Sequence, residues 1–131
     1  MRDLLVSEFQ DTVDRYLVRH KSMLDILTKA QEASARINRA VVKAVTSCGC
    51  VRINAGPQRV PEDITLQELK DHMATHLEGT MCESCRDVVE QEVGQNLFYL
   101  AALCNALDLS LYDILIKEGK KLSALGPYNV T

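Results

Sequence analysis

The sequence predicts an all-α fold, a bundle of about five helices clipped by a small zinc-binding insertion. Three features carry that expectation. The 131 residues include only three prolines, six glycines and no tryptophan, which disfavours a many-turned β architecture. Apolar residues recur at helical spacing over most of the length. Four of the five cysteines form two tight pairs, each where a helical pattern stops or starts. With 47% hydrophobic residues the chain can bury one core, so residues 1–131 read as a single domain with a cysteine-bounded insertion at about 46–86.

Leu5, Phe9, Val13 and Leu17 recur every four residues and predict a first helix from about Arg2 to His20. Ser22 is an N-cap for a second helix running to about Val45. Its Leu27, Ala30, Ala33, Ile37, Val41 and Ala44 share one face, and Glu32, Arg36, Arg39 and Lys43 gather opposite. From Val51 to Ile64, the residues Asn54, Gly56, Pro57 and Pro61 indicate an extended loop with a turn. Thr65 and Glu68 make a capping box for a third helix that stops near Gly79. A fourth helix follows the second cysteine pair and reaches about Leu107, with Val89, Val93, Leu100, Cys104 and Leu107 as its apolar stripe. Ser110 and Asp113 open a fifth, ending before Gly126-Pro127.

The pairs Cys48-Gly-Cys50 and Cys82-Glu-Ser-Cys85 can converge four sulfurs on one ion. Zinc favours a tetrahedral thiolate set with Zn–S distances of ~2.3 Å, so structural Zn2+ held by Cys48, Cys50, Cys82 and Cys85 is the primary expectation. Two disulfides are the alternative and need an oxidising compartment. His72 and His76, spaced one helical turn apart ahead of Cys82, offer a second alternative: a Cys2His2 site with Cys82 and Cys85. Cys104, within an apolar run and with no histidine placed by sequence to activate it, reads as a buried structural thiol.

A net charge of −3 gives no broad attraction to nucleic acid or to anionic lipid. Lys29, Arg36, Arg39 and Lys43 read as a solvated helix face rather than a nucleic-acid stripe, because aromatics for base stacking are sparse. The longest apolar run, Leu97 to Cys104, is far short of the ~20 residues of a membrane span. No secretory leader pattern opens the chain, and the expected location is the cytoplasm.

The fourth helix carries Glu92 and Asn96 at the edge of its apolar stripe, where a carboxylate must find a partner or shift its pKa. Arg36 or Arg39 of the second helix is a candidate partner. The stretch Gln91-Glu92-Val93-Gly94-Gln95-Asn96-Leu97-Phe98-Tyr99-Leu100 resembles the second metal-binding helix of MazG-like all-α nucleoside triphosphate pyrophosphohydrolases, whose pattern is E-E-x-G-D followed by an apolar run. Gln31-Glu32-Ala33-Ser34-Ala35 is similar to that family's first motif, E-x-x-E. The resemblance covers about Leu24 to Val45 and Val88 to Leu122. It implies a helical bundle, Mg2+ bound by carboxylates from two helices, a nucleotide substrate and paired subunits.

The departures from the family pattern bear on catalysis. Glu32 and Glu92 hold the first motif positions, but their partners are Ala35 and Gln95, which halves the negative charge of the site. Mg2+ needs hard oxygen ligands in near-octahedral geometry, so this loss weakens it. Arg36 and Arg39 repel a divalent ion further and are candidate phosphate contacts instead. The expectation is a catalytically degenerate MazG-like scaffold acting as an oligomeric interaction or nucleotide-related binding module. The alternative is an active pyrophosphohydrolase with a rearranged site, in which Glu32, Glu92 and Asn96 are catalytic remnants. Phe98, Tyr99, Ala101 and Ala102 widen the apolar surface of the fourth helix beyond what one small core needs, which predicts a homodimer or higher oligomer.

Overall fold

Helical spacing resolves into five α-helices in the computed structural model, which describes residues 2–126. They are α1 (Arg2–Tyr16), α2 (Met23–Lys43), α3 (Leu66–His72), α4 (Glu83–Ala106) and α5 (Leu111–Leu125). Two short strands, β1 (Val51–Ile53) and β2 (Leu77–Gly79), pair antiparallel with Arg52 opposite Glu78. The architecture is all-α with this small ribbon inserted between α2 and α4. Pro127, read as a stop for the fifth helix, lies outside the described residues.

Side-chain caps fix the helix starts. Ser22 accepts a hydrogen bond from the Leu24 amide, Thr65 from Glu68, and Ser110 from Asp113. Each satisfies a backbone donor that the first helical turn leaves unpaired. The first helix ends at Tyr16, and His20, the expected end, adopts a left-handed backbone (φ 44°) that a right-handed α-helix does not include.

The third helix is much shorter than the spacing suggests. It stops at His72, and Leu77–Gly79 is a strand. Gln58 explains the break: its side-chain amide donates to the Ala74 carbonyl and accepts from the Ala74 amide, both at 2.9 Å. Both Ala74 backbone groups are thereby withdrawn from a helical ladder. The freed chain pairs with β1, where Glu78 meets Arg52 (2.9 Å) and Asn54 (3.0 Å). These exposed contacts set register more than stability.

The most extensive packing joins α2 to α4, with α1 lying against α4 and α5 against α1. The α2–α4 pair is antiparallel: Ile26 meets Ala101 and Ala102 at one end, while Ala44 and Cys48 face Cys85 and Val88 at the other. Val13 and Ile26 are almost completely buried in this core and Leu17, Phe98, Leu103 and Leu111 pack around them. Burial of each aliphatic side chain contributes roughly 1.5–3 kcal/mol. The small side chains of Ala101 and Ala102 let the neighbouring helices approach closely.

The face that α4 buries matches the expected stripe at Cys104 and the half-buried Val89 and otherwise differs from it. Ala101, Ala102 and Cys104 are inside, and Phe98 stacks edge-on against Tyr99 with ring centroids 5.0 Å apart. Val93, Leu100 and Leu107 remain exposed, together with Leu97. The neighbours decide this, because α1 crosses the C-terminal half of α4 on the side that carries the alanines.

A polar clamp ties α1 to the α4–α5 corner. The Gln10 side chain donates to Asn105 Oδ1 (2.9 Å) and to the Leu109 carbonyl (2.7 Å), and accepts from the Leu111 amide (2.8 Å). Asn105 returns a bond to the Gln10 carbonyl at 3.0 Å. No single helix among the described residues is long and apolar enough to cross a membrane.

Candidate metal centre

The four paired cysteines converge at one end of the α2–α4 pair. Their Sγ atoms all lie within 4.8 Å of one another, and among the described residues they are the group of histidine, cysteine or acidic side chains arranged to hold a metal ion. All five cysteines are free thiols, and Cys48 Sγ lies 3.7 Å from Cys82 Sγ.

Three local devices position the sulfurs. First, α2 widens into a π turn over Ala44–Cys48, closed by a bond from the Gly49 amide to the Ala44 carbonyl at 2.8 Å. A π turn changes the helical phase, so Cys48 leaves the helix in a direction that an α-helical continuation would not give it. Gly49 then reverses the chain with a left-handed φ of 80°, a conformation that glycine adopts without steric cost.

Second, the β1–β2 ribbon carries Cys50 back toward Cys82. Val51 pairs with Gly79, so the residues flanking the pair run out toward both cysteine motifs. Gly79 is required there twice over. Its φ is 89°, and a Cβ on it would lie 2.7 Å from the Cys50 carbonyl oxygen. Third, Cys82 is itself the N-cap of α4, its sulfur accepting the Cys85 amide at 3.4 Å.

Cys48, Cys82 and Cys85 influence one another's titration. The Cys85 backbone amide, then the Cys85 and Cys48 thiols, bring Cys82 from the ordinary 9.0 to about 7. Cys85 is pushed up to about 12, first by its hydrogen bond to Cys82 and then by desolvation. At Cys48 the Cys50 backbone favours the thiolate, but the Cys82 side chain and other raising effects outweigh it, and the net shift is upward. Cys82 gives up its proton readily while Cys48 and Cys85 hold theirs, as expected when neighbouring thiols share one site.

The other candidate residues lie elsewhere. His72 ends α3 and His76 precedes β2 with a left-handed φ of 62°, so they no longer sit one helical turn apart. Both line a separate shallow groove with Asn54 and Gln58, and the Cys2His2 arrangement does not form. Cys104 is buried against the core, and desolvation raises its pKa.

Glu32 is held on its own helix between Lys29 (3.4 Å) and Arg36. Arg36 is therefore engaged by Glu32, and neither Arg36 nor Arg39 forms an ion pair with Glu92 among the described residues. Glu92 instead lines a groove between α2 and α4, together with Arg36 and Arg39. Asn96, one turn further along α4, is half-buried. No cluster of three carboxylates forms among the described residues.

In the sequence, Gly79 reads only as a helix stop, which misses its close approach to Cys50, and Gln58 is not singled out. A weak signal for Gly79 existed, since glycine is the residue that admits a positive φ and a close backbone approach. Gln58 offered none, because its partner at Ala74 is set by the path of the loop.

Comparison with known proteins returned no matching family model, no matching curated protein and no matching solved structure.

Proposed function

We propose that the chain is a zinc-stabilised, MazG-like helical module that associates with itself and has lost metal-dependent hydrolysis. The observation that carries the zinc reading is the sulfur geometry. A tetrahedron with Zn–S arms of ~2.3 Å has edges of about 3.8 Å. The Cys48–Cys82 separation is 3.7 Å, and the whole set fits within 4.8 Å. Four soft thiolates and no oxygen donor favour zinc over magnesium or calcium. Cys48 and Cys50 come from the end of α2, Cys82 and Cys85 from the start of α4, so the ion fastens the junction and closes the intervening insertion.

Surface area supports self-association. The chain exposes 10138 Å². A compact monomer of 14.6 kDa exposes roughly 6,900 Å². The excess is larger than the ~800 Å² that each partner buries in a standard interface. On α4, Val93, Leu97 and Leu100 form an exposed apolar stripe at helical spacing, and Leu27 of α2 is exposed as well. A second copy is the occupant this reading assigns to that face.

The likeness to MazG-like proteins is supported by the packing of α2 against α4, the two helices that carry the resembling segments. Loss of hydrolysis follows from the acids. Glu32 is neutralised within its own helix, and Ala35 and Gln95 supply no carboxylate.

Metal analysis and light scattering of the purified chain test the proposal together. One zinc per chain and a dimer mass at micromolar concentration are expected. A metal-free protein of unchanged stability removes the zinc reading, and a monomer mass removes the self-association.

A further inference from the structure

Two apolar helix faces lie open on each chain, one on α4 and one on α5, and their flanks carry opposite charge. On α4 the exposed stripe of Val93, Leu97 and Leu100 is flanked by Glu83, Asp87, Glu90 and Gly94, a second row at helical spacing. The three acids are exposed and pair with no base among the described residues. On α5, Leu115 and Leu122 are exposed at either end of a row that has Gly119 between them. A shallow groove of about 600 Å³ runs beside that row, with Lys120 on its wall and no acid lining it. Lys120 has no carboxylate partner among the described residues.

We infer that α5 of one copy docks antiparallel on the Val93, Leu97 and Leu100 stripe of a second copy's α4, and that the exchange is reciprocal. The inference rests on the self-association reading and names the element of the second copy that covers the α4 face. Within one chain the backbone turns by 106° between α4 and α5, and α5 packs chiefly on α1, so it is carried away from the helix it follows. At ~100° per residue, the acidic row and Lys120 lie on the same side of their stripes. Antiparallel packing therefore sets Lys120 against Glu83, Asp87 and Glu90, a complementarity that favours this partner and this orientation. Arg86, the only cation of α4, stands in line with the stripe, and Glu118 borders the α5 row, so the odd charge on each face also has its opposite on the other.

Gly94 and Gly119 lie on that same side of their helices, and a Cβ at either would meet nothing within 4 Å in its own chain. Glycine is unfavourable inside a helix, so two glycines that no contact within the chain requires point to a close approach from outside. The exposed area in excess of a compact monomer is several times what each partner buries in one standard interface, so α4 is not the only face left to cover. Reciprocal exchange covers both faces at once and closes the dimer.

Light scattering and sedimentation of the full chain, with circular dichroism and metal content measured alongside, test the inference. Leu115→Gln with Leu122→Gln should raise the dissociation constant of the dimer roughly a hundredfold. Helicity should be unchanged, since both side chains are exposed in the single chain. Lys120→Glu and Glu90→Lys should each raise the constant about tenfold. An equimolar mixture of these two variants should restore it, because each α5 then meets an α4 of opposite sign. Carbodiimide treatment of mixed light and isotope-labelled chains should join Lys120 of one copy to Glu83, Asp87 or Glu90 of the other. A dimer that survives both the leucine and the Lys120 variants overturns the inference and leaves self-association through another face standing. A monomeric unmodified chain overturns both. Binding to phosphatidylserine vesicles that is lost in the leucine variant, with the dimer unchanged, would replace the second copy with a lipid surface.

Discussion

Cys48 and Cys82 stand 34 positions apart in the chain, and their sulfurs lie 3.7 Å apart in space. That separation is too long for a disulfide and suits two ligands on one tetrahedral ion. The α2 end and the α4 start are joined there.

Cys82→Ser should release the metal and lower the thermal midpoint by roughly 10 °C, by analogy with removing a staple that closes a loop of this length. The α1, α2 and α4 core around Val13 and Ile26 lies at the other end of the helices, so helical content should largely survive. Metal analysis and thermal melting by circular dichroism check both halves.

In the metal-free protein at neutral pH, Cys82 should be alkylated by iodoacetamide well before Cys85. The fold brings Cys82 down to about 7 and pushes Cys85 up to about 12. The sign follows for stability. With its folded pKa below the ordinary 9.0, Cys82 favours the metal-free fold above 9, and this contribution fades as the pH falls toward 7. Cys85 acts the other way, withdrawing stability as the pH rises above 9. Peptide mapping by mass spectrometry reads the order of labelling, and bound zinc should protect all four positions.

Gly79→Ala should weaken metal retention although it touches no ligand side chain. An added Cβ meets the Cys50 carbonyl oxygen at 2.7 Å, and the left-handed φ of 89° adds backbone strain of about 1 kcal/mol or more. Faster zinc transfer to a chromogenic chelator than from the unmodified chain is the expected readout.

Gln10→Ala should destabilise the fold by about 1–3 kcal/mol, because the Leu111 amide, the Leu109 carbonyl and Asn105 Oδ1 lose their Gln10 side-chain partner at the α4–α5 corner, while Asn105 keeps its bond to the residue 10 carbonyl. Chemical denaturation measures the loss, and zinc content should remain unchanged.

Nucleoside triphosphates with Mg2+ or Mn2+ should be hydrolysed very slowly or not at all. Glu92→Gln should change stability by less than about 0.5 kcal/mol, since no ion pair depends on Glu92 among the described residues. Restoring both acids with Ala35→Glu and Gln95→Asp should raise Mn2+ affinity. Rapid hydrolysis by the unmodified chain, abolished in folded Glu92→Gln, would restore the enzyme reading.

The helices and the sulfur set were legible in the sequence because both depend on local rules. Periodic apolar residues mark α1, α2 and α4, and Ser22, Thr65 and Ser110 cap their helices through bonds spanning two or three residues. Tight pairing of Cys48 with Cys50 and of Cys82 with Cys85 likewise announces convergence without saying how it is reached. What tertiary structure alone decided was long-range. Gln58 broke the third helix by binding Ala74 across sixteen positions, and β1 then captured Leu77–Gly79 as a strand. The core face of α4 was fixed by where α1 crosses it, so that Ala101 and Ala102 went inside while Leu97 and Leu100 stayed out. Glu32 bound its own helix rather than joining Glu92, a choice between neighbours that spacing cannot rank. Periodicity gives the faces a helix could bury, and only the partners that arrive determine which face is buried.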